Sequence, residues 1–302
     1  MTVPRPIAPG RTYLVSRRCT RREYLLRPDP RTEQIYLYCV GEAAARYGVT
    51  LHGWIALSNH HHLVVRDNHG NLPEFLAHLH KLLAKAMNAY RGRWENLFAA
   101  EQCSVVYLVE DGDRFDKLVY LLCNAVSDHL VERVAEWPGA CSLAQHLSGL
   151  PKTVQRPTGY FRKDGPMPEH VTLRAERLDG FEHLSDEAWC AKIRDAVREE
   201  EQRARAERAK RGMHVLGAKR IRRASITDRP STLERRRVLR PCVACRNKDV
   251  RVAELVALKT FRAEHRAARL RLAAGERDVV FPFGTYRFAR MGVRCAAAPP
   301  PS

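Results

Sequence analysis

Three consecutive histidines, His60-His61-His62, follow Asn59 and run into the apolar stretch Leu63-Val64-Val65. On an extended strand, residues i and i+2 share a face. His60 and His62 can therefore offer two imidazoles together, with His61 turned the other way. Such a pair can be two legs of a metal site, or simply a polar sheet face. Further along, Tyr120 and Asn124 stand four residues apart in Lys117-Leu118-Val119-Tyr120-Leu121-Leu122-Cys123-Asn124. On a helix that spacing puts a phenol and a carboxamide on one side. Tyr120 reads equally well as one more core aromatic among Leu121, Leu122 and Val126. Cys242-Val243-Ala244-Cys245 has half the spacing of a zinc knuckle, but no second pair follows it, so the metal signal is weak. Arg17, Arg18, Arg21 and Arg22 crowd one short segment, which suits phosphate contacts or a solvated loop.

The elements that must position these groups can be read from periodicity. Residues 12–16 and 23–26 read as short strands around the arginine-rich turn. Residues 31–47 repeat apolar positions at helical spacing, with Gly48 as the stop. Residues 51–57 and 62–65 are the strongest strand signals, separated by Ser58-Asn59. A leucine-rich helix is predicted over 72–90 and a strand over 103–109. Residues 110–114 read as an acidic turn, and a third helix over 115–135 carries Tyr120. Alternating strands and helices predict one sheet with several helices, an α/β or α+β arrangement, over residues 1–150. Residues 151–180 read as an extended connection, and a charged helix is expected over 185–210. Basic clusters follow at 219–223 and 235–237, then a helix over 250–274 and a hairpin over 279–288.

The chain has 302 residues, enough for about two domains, and we divide it into 1–150 and 151–302. Its 52 Lys+Arg outnumber 34 Asp+Glu, for a net charge of +18. The excess is lopsided: 17 basic and 15 acidic residues lie in 1–150, against 35 and 19 in 151–302. A strongly basic second half favours polyanions, nucleic acid first. No stretch reaches the roughly 18 uncharged apolar residues of a spanning helix, so no membrane partner is expected. Residues 1–11 carry three prolines and no apolar run, so no secretory leader is expected. Nine cysteines without framework spacing suit a reducing cytoplasm.

Taken together, the two constellations and the order of elements around them resemble the single-tyrosine HUH transposases, and within them the REP-associated tyrosine transposases. The residues that carry the resemblance are Ser58-Asn59-His60-His61-His62-Leu63-Val64-Val65, Asn88-Ala89-Tyr90-Arg91-Gly92-Arg93-Trp94, and the stretch 117–134. It covers roughly residues 9–143. The second half is similar, more loosely, to the extra C-terminal region of longer members. The resemblance implies an α+β fold, a ferredoxin-like antiparallel sheet flanked by helices, with a basic and mainly helical C-terminal extension that holds DNA backbone. It implies cutting and rejoining of single-stranded DNA at hairpin or palindromic ends, with a homodimer as one option. His60 and His62 would bind a divalent cation, Asn124 would be the third ligand, and Tyr120 would be the nucleophile.

The residue types suit that chemistry. Mixed imidazole and amide ligation with open water positions fits Mg²⁺ or Mn²⁺ better than a closed zinc site. A tyrosine near its ordinary pKa of about 10 is a poor nucleophile, so local positive charge is expected to favour its phenolate. Tyr90 and Tyr107 lack a ligand-type residue four positions on that would share a helix face. Two positions depart from the family pattern. His61 stands where a bulky apolar residue is expected, and it could compete for the metal if the strand slipped by one residue. Ala125 replaces the usual proline after Asn124, a change a helix tolerates. Two other readings stay open: a non-catalytic or domesticated DNA- or RNA-binding protein on the same fold, and an interaction protein whose charged helices dock a partner.

Overall fold

The computed structural model describes residues 3–101, 103–232 and 241–298. Its centre is a five-stranded sheet in the order β2-β3-β1-β4-β7. Strands β1 (Arg11–Arg18), β2 (Thr50–Leu57), β3 (His60–Asp67) and β4 (Ser104–Leu108) pair antiparallel. Helix α1 (Pro30–Tyr47) connects β1 to β2, and α2 (Leu72–Arg91) connects β3 to β4. Both helix starts are written in side chains. Asp29 accepts from the Thr32 amide at 2.8 Å with Pro30 in the first turn, and the Asp67 carboxylate at the end of β3 accepts from the Asn71 and Leu72 amides at 2.9 and 3.0 Å. Carboxylates there also complement the helix dipole. Gly48 ends α1 with a left-handed backbone, φ 62°, where a Cβ would be strained.

Strand alternation splits the core in two. One sheet face presents Tyr13, Val15, Trp54, Leu63 and Val65 to α1 and α2. The other presents Leu14, Ile55, Leu57, Val64, Val106 and Leu108 to α3 (Asp111–Leu122) and the short α4 (Asn124–Ser127). Helix α3 passes very close to the sheet: a Cβ on Gly53 would lie 2.6 Å from Leu118 Cδ1. The glycine leaves room for the Leu118 side chain of the Tyr120-bearing helix.

The sheet and helices agree with the expected α+β class, while several local expectations are corrected. Residues 23–26 are a turn, not a strand, and the preceding Arg21 and Arg22 have φ of 50° and 60°. The third helix starts earlier than expected because Glu110 and Asp113 form a capping box. It ends far before residue 135, since the backbone flattens at Cys123 and His129 takes φ 56°. Residues 151–180 hold a hairpin, β5 (Lys152–Gln155) with β6 (His170–Leu173), whose Val154, Val171 and Leu173 pack into the α1–α2 core. Gly41 of α1 admits it: a Cβ there would meet Val171 at 2.9 Å.

The rest of the second half is spread over the same sheet. Helix α5 (Leu143–Ser148) adds Leu143 to the α3 core, α6 (Asp186–Arg211) buries Trp189, Ile193 and Val197 there, and α7 (Ala218–Arg223) adds Ile221. Strand β7 (Val243–Ala244) lies parallel to β4 at the sheet edge. Helix α8 (Lys248–Ala273) follows it. Residues 279–288 are not a hairpin; Val279, Phe281 and Phe288 instead form a small cluster against Ala268. The basic cluster 235–237 lies outside the described residues.

Candidate active site

Register places the histidines. β3 is clamped between β1 and β2, with Ser16 opposite His62, Arg18 opposite His60, and Leu57 opposite His60 on the far side. Two flanking ladders leave no room for a slip, so His60 and His62 share the α3 face and His61 points into the α1–α2 core. The His60 and His62 ring centroids are 4.8 Å apart, and the Tyr120 ring lies 5.8 Å from His62. Asn124, one helical turn past Tyr120, is 4% exposed and lies beside both His60 and Tyr120. The four residues singled out by spacing thus meet at one spot.

The imidazoles are held neutral, the form that ligates. Burial pushes His60 down to about 4, with help from the Arg18 and Arg22 guanidiniums. Burial and His60 together push His62 to about 3. Each ring is also oriented. His60 Nδ1 donates to Asn59 Oδ1 at 2.7 Å, which leaves Nε2 as its lone-pair nitrogen. His62 Nδ1 pairs with Ser16 Oγ at 2.6 Å. Beyond that contact, His62 Nε2 and Asn124 Oδ1 are buried with no partner among the described residues. An unmatched amide oxygen and an unmatched imidazole nitrogen, which offers a lone pair when Nδ1 carries the proton, are what an oxygen- and nitrogen-ligated cation would satisfy. The residues present therefore fit a divalent metal.

Tyr120 does not behave as the sequence suggests. It is 44% exposed, which gives a substrate access. Its pKa is raised, first by burial of part of the ring and then by Asp128, although the Asn124 side chain opposes this. Lys117 Nζ sits 5.6 Å from the ring centroid without reversing that direction. The protein alone therefore keeps Tyr120 as a phenol.

The four arginines separate. Arg18 and Arg22 act on His60 electrostatically. Arg18 also pairs with Glu101 at 3.0 Å, and Arg22 donates to Thr232. Arg17 pairs with His61 in register and so lies on the other face, donating to Ala99 O at 3.1 Å and covering Phe98. Arg21 is exposed with no hydrogen-bond or ion-pair partner among the described residues. Tyr90 bonds Asp29 at 3.1 Å and Tyr107 packs on Tyr13, both away from the histidines.

One group escaped sequence reasoning. Glu110, Asp113 and Cys245 bring ligand atoms within 4.8 Å of one another. Cys242-x-x-Cys245 hinted at a metal, but its partners lie at the start of α3, which spacing cannot show. The Cys245 thiol is pushed up to about 12 by desolvation and the two carboxylates, and Sγ donates to Glu110 Oε2 at 3.2 Å. The cluster ties β7 to the cap of α3 as a protonated thiol.

No helix among the described residues is long and apolar enough to cross a membrane. No family model and no curated protein matches the chain. Among solved structures, a candidate transposase from Deinococcus radiodurans R1 is 17% identical, over 40% of this chain and 95% of that one, with a TM-score of 0.29. A REP-associated tyrosine transposase bound to a REP hairpin is 14% identical, over 61% of this chain and 99% of that one, with a TM-score of 0.42. Both of these structures are, by their descriptions, transposases.

Proposed function

We propose that the protein is a divalent-cation-dependent DNA strand transferase that uses Tyr120 as its nucleophile. The observation that carries this reading is the meeting of an accessible phenol with two neutral imidazoles and a buried carboxamide oxygen that lacks a partner. His60, His62 and Asn124 would hold Mg²⁺ or Mn²⁺. When bound, the cation would draw charge from the scissile phosphate and offset the field that keeps Tyr120 protonated. The phenolic oxygen attacks phosphorus and its proton is given up to solvent. The bond to the 3′ oxygen breaks, and that oxygen takes a proton. The products are a 5′-phosphotyrosine and a free 3′-hydroxyl. Because the phosphoester energy stays in the link, a second 3′-hydroxyl can reverse the step without ATP.

The substrate is single-stranded DNA, supplied as hairpin or palindromic ends, because the phenol has to reach a phosphate with exposed flanks. In this reading residues 151–302 act as a DNA-holding extension of a catalytic unit within 1–150. Incubation with Mn²⁺ and end-labelled hairpin oligonucleotides should give a covalent adduct that survives denaturing gels. Tyr120→Phe should abolish it with the melting temperature unchanged. Absence of adduct across a library of flanking sequences, with DNA binding intact, would sink the catalytic reading in favour of a binding protein on this fold.

A further inference from the structure

Between the two halves of the chain lies a groove of about 590 Å³ whose walls include Tyr24, Leu216, Arg220, Arg223, Asp228 and Arg229. Its position is fixed by backbone bonds at both ends. Leu216 and Gly217 amides donate to His129 and Leu130 carbonyls at 3.1 and 2.9 Å, just beyond the Tyr120–Asn124 helix. At the other end, Tyr24 N donates to Asp228 O at 2.9 Å, and Arg22, one of the cations beside His60, donates to Thr232 O at 2.6 Å. Residues 216–232 therefore bridge from the nucleophile's helix to the turn beside the histidines.

The charge of the groove is unbalanced by construction. Ile221 is 3% exposed in the α3–α6 core, which fixes the rotation of α7 and sends Arg220 and Arg223, three residues apart, into the groove. Arg220, Arg223 and Arg229 form no ion pair or side-chain hydrogen bond among the described residues. Asp228 is already used, accepting from the Ser225 amide at 2.8 Å. Three convergent guanidiniums with a half-buried tyrosine among them match an unstacked strand: phosphates for the cations, and a base for the aromatic ring.

We infer that this groove carries the single strand leading to or from the candidate active site, with Arg220, Arg223 and Arg229 on successive backbone phosphates and Tyr24 under a base. The inference rests on the proposed function for its choice of DNA as the polyanion. It also moves the DNA contact from the charge of the second half at large to one short segment.

The test is binding of a fluorescein-labelled 20-nucleotide single strand by the full chain across a salt series. The triple variant Arg220→Ala/Arg223→Ala/Arg229→Ala should bind at least tenfold more weakly at low salt. Its log–log salt slope should be shallower by about 2, at roughly 0.7 for each phosphate that is no longer neutralised. The corresponding Arg→Lys triple should recover most of the affinity, since backbone contacts need charge more than a fork. All three side chains are exposed, so the melting temperature should not move. A strand carrying 5-iodouracil should photocrosslink to the peptide containing Tyr24, a readout that does not depend on any variant. Equal loss of blunt duplex and of single strand would overturn the inference, as would loss of polyglutamate binding in place of DNA binding, or crosslinks only elsewhere. Wild-type strand affinity in the triple variant, with Tyr120-dependent adduct intact, would remove the groove and leave the proposed function standing. The reverse pattern, no adduct but strand binding abolished with the arginines, would remove the chemistry and leave the groove.

Discussion

Neighbouring histidines on one strand serve two opposite surroundings. His61 faces the α1–α2 core, where its Nε2 shares a hydrogen bond with His80 Nε2 at 3.1 Å and its Nδ1 approaches Tyr36 OH at 3.5 Å. Rings of Tyr36, His80 and Phe98 enclose it. Its polar atoms are matched within the protein. His60 and His62, one residue away on either side, face α3 with one nitrogen each tied down, and His62 Nε2 and Asn124 Oδ1 are both left unmatched. Burying a polar atom without a partner costs free energy that folding alone has no reason to spend. Because His52 Nε2 and His146 Nδ1 are unmatched too, it is the unmatched atoms together with the meeting of His60, His62 and Tyr120 that separate the candidate ligands from a structural histidine.

The largest effect should come from removing the ligand side of this contrast. His62→Ala should abolish Mn²⁺ binding in calorimetry, along with the covalent adduct, and leave thermal stability within about 1 kcal/mol because it also removes an unsatisfied atom. His61→Leu should do the reverse. It strands His80 without its partner, at a cost of about 1–3 kcal/mol in denaturant unfolding, while Mn²⁺ affinity stays at the wild-type level. Loss of Mn²⁺ binding in His61→Leu and not in His62→Ala would invert the assignment of the two faces.

A second test concerns how α3 is held. Gly53→Ala places a methyl against Leu118, and overpacking of this kind costs about 1–3 kcal/mol. Leu118 has to move, and the shift of α3 that goes with its repacking carries Tyr120 along. Adduct formation should slow by tenfold or more, while Mn²⁺ affinity falls less, since two of the three ligands sit on β3. Equal losses in both would place the strain in the strand.

Much of this arrangement was readable in the sequence, for a physical reason. Period-2 alternation separates His60 and His62 from His61, whereas the separation of Arg17 from Arg18 was not readable, because β1 runs on through residues expected in the turn. Helical spacing joins Tyr120 to Asn124, and Gly48 marks the end of α1. What could not be read depends on contacts distant in sequence. Residues 152–155 and 170–173 look like connection because their few apolar residues find a partner only in α1, through the gap at Gly41. Two residues at 243–244 become a strand only because β4 offers an edge. The raised pKa of Tyr120 likewise comes from three-dimensional burial and Asp128, which no local pattern reveals.

The matched face should also carry a pH signature. Burial and Arg17 push His80 down to about 3, and burial leads the lowering of His61, which also feels His80, His60, His62 and Arg17. The unfolded chain takes up protons near pH 6.5 while folded His80 resists them, so stability is full above pH 6.5 and declines as pH falls toward 3. For one such group the slope approaches 1.4 kcal/mol per pH unit. The double variant His61→Leu/His80→Leu should flatten this slope between pH 6 and 4 and should be close to wild type in stability at pH 7, because both polar partners leave together. A slope unchanged in the double variant would assign the acid sensitivity to the other buried imidazoles, His62, His60 and His146, which burial pushes down to about 3, 4 and 4.

The smallest expected effect probes how the ligand face is oriented. Ser16 Oγ fixes one nitrogen of His62 from the neighbouring strand. Ser16→Ala removes that bond without touching a ligand atom, and supporting contacts of this kind are worth about 10–100-fold in metal affinity. Fold and stability should barely change, since the alanine methyl fits the volume of the hydroxymethyl group it replaces. Mn²⁺ affinity should fall within that range, and Ser16→Thr should restore most of it by returning a hydroxyl. Nitrogen NMR of the imidazoles gives a readout independent of turnover: His62 should shift toward a mixture of tautomers in Ser16→Ala while His60, fixed by Asn59, does not. Metal affinity that is unchanged alongside a changed His62 tautomer would mean that orientation is set by the packing of β3 between its two neighbours, and the contrast between the faces would then rest on the unmatched atoms alone.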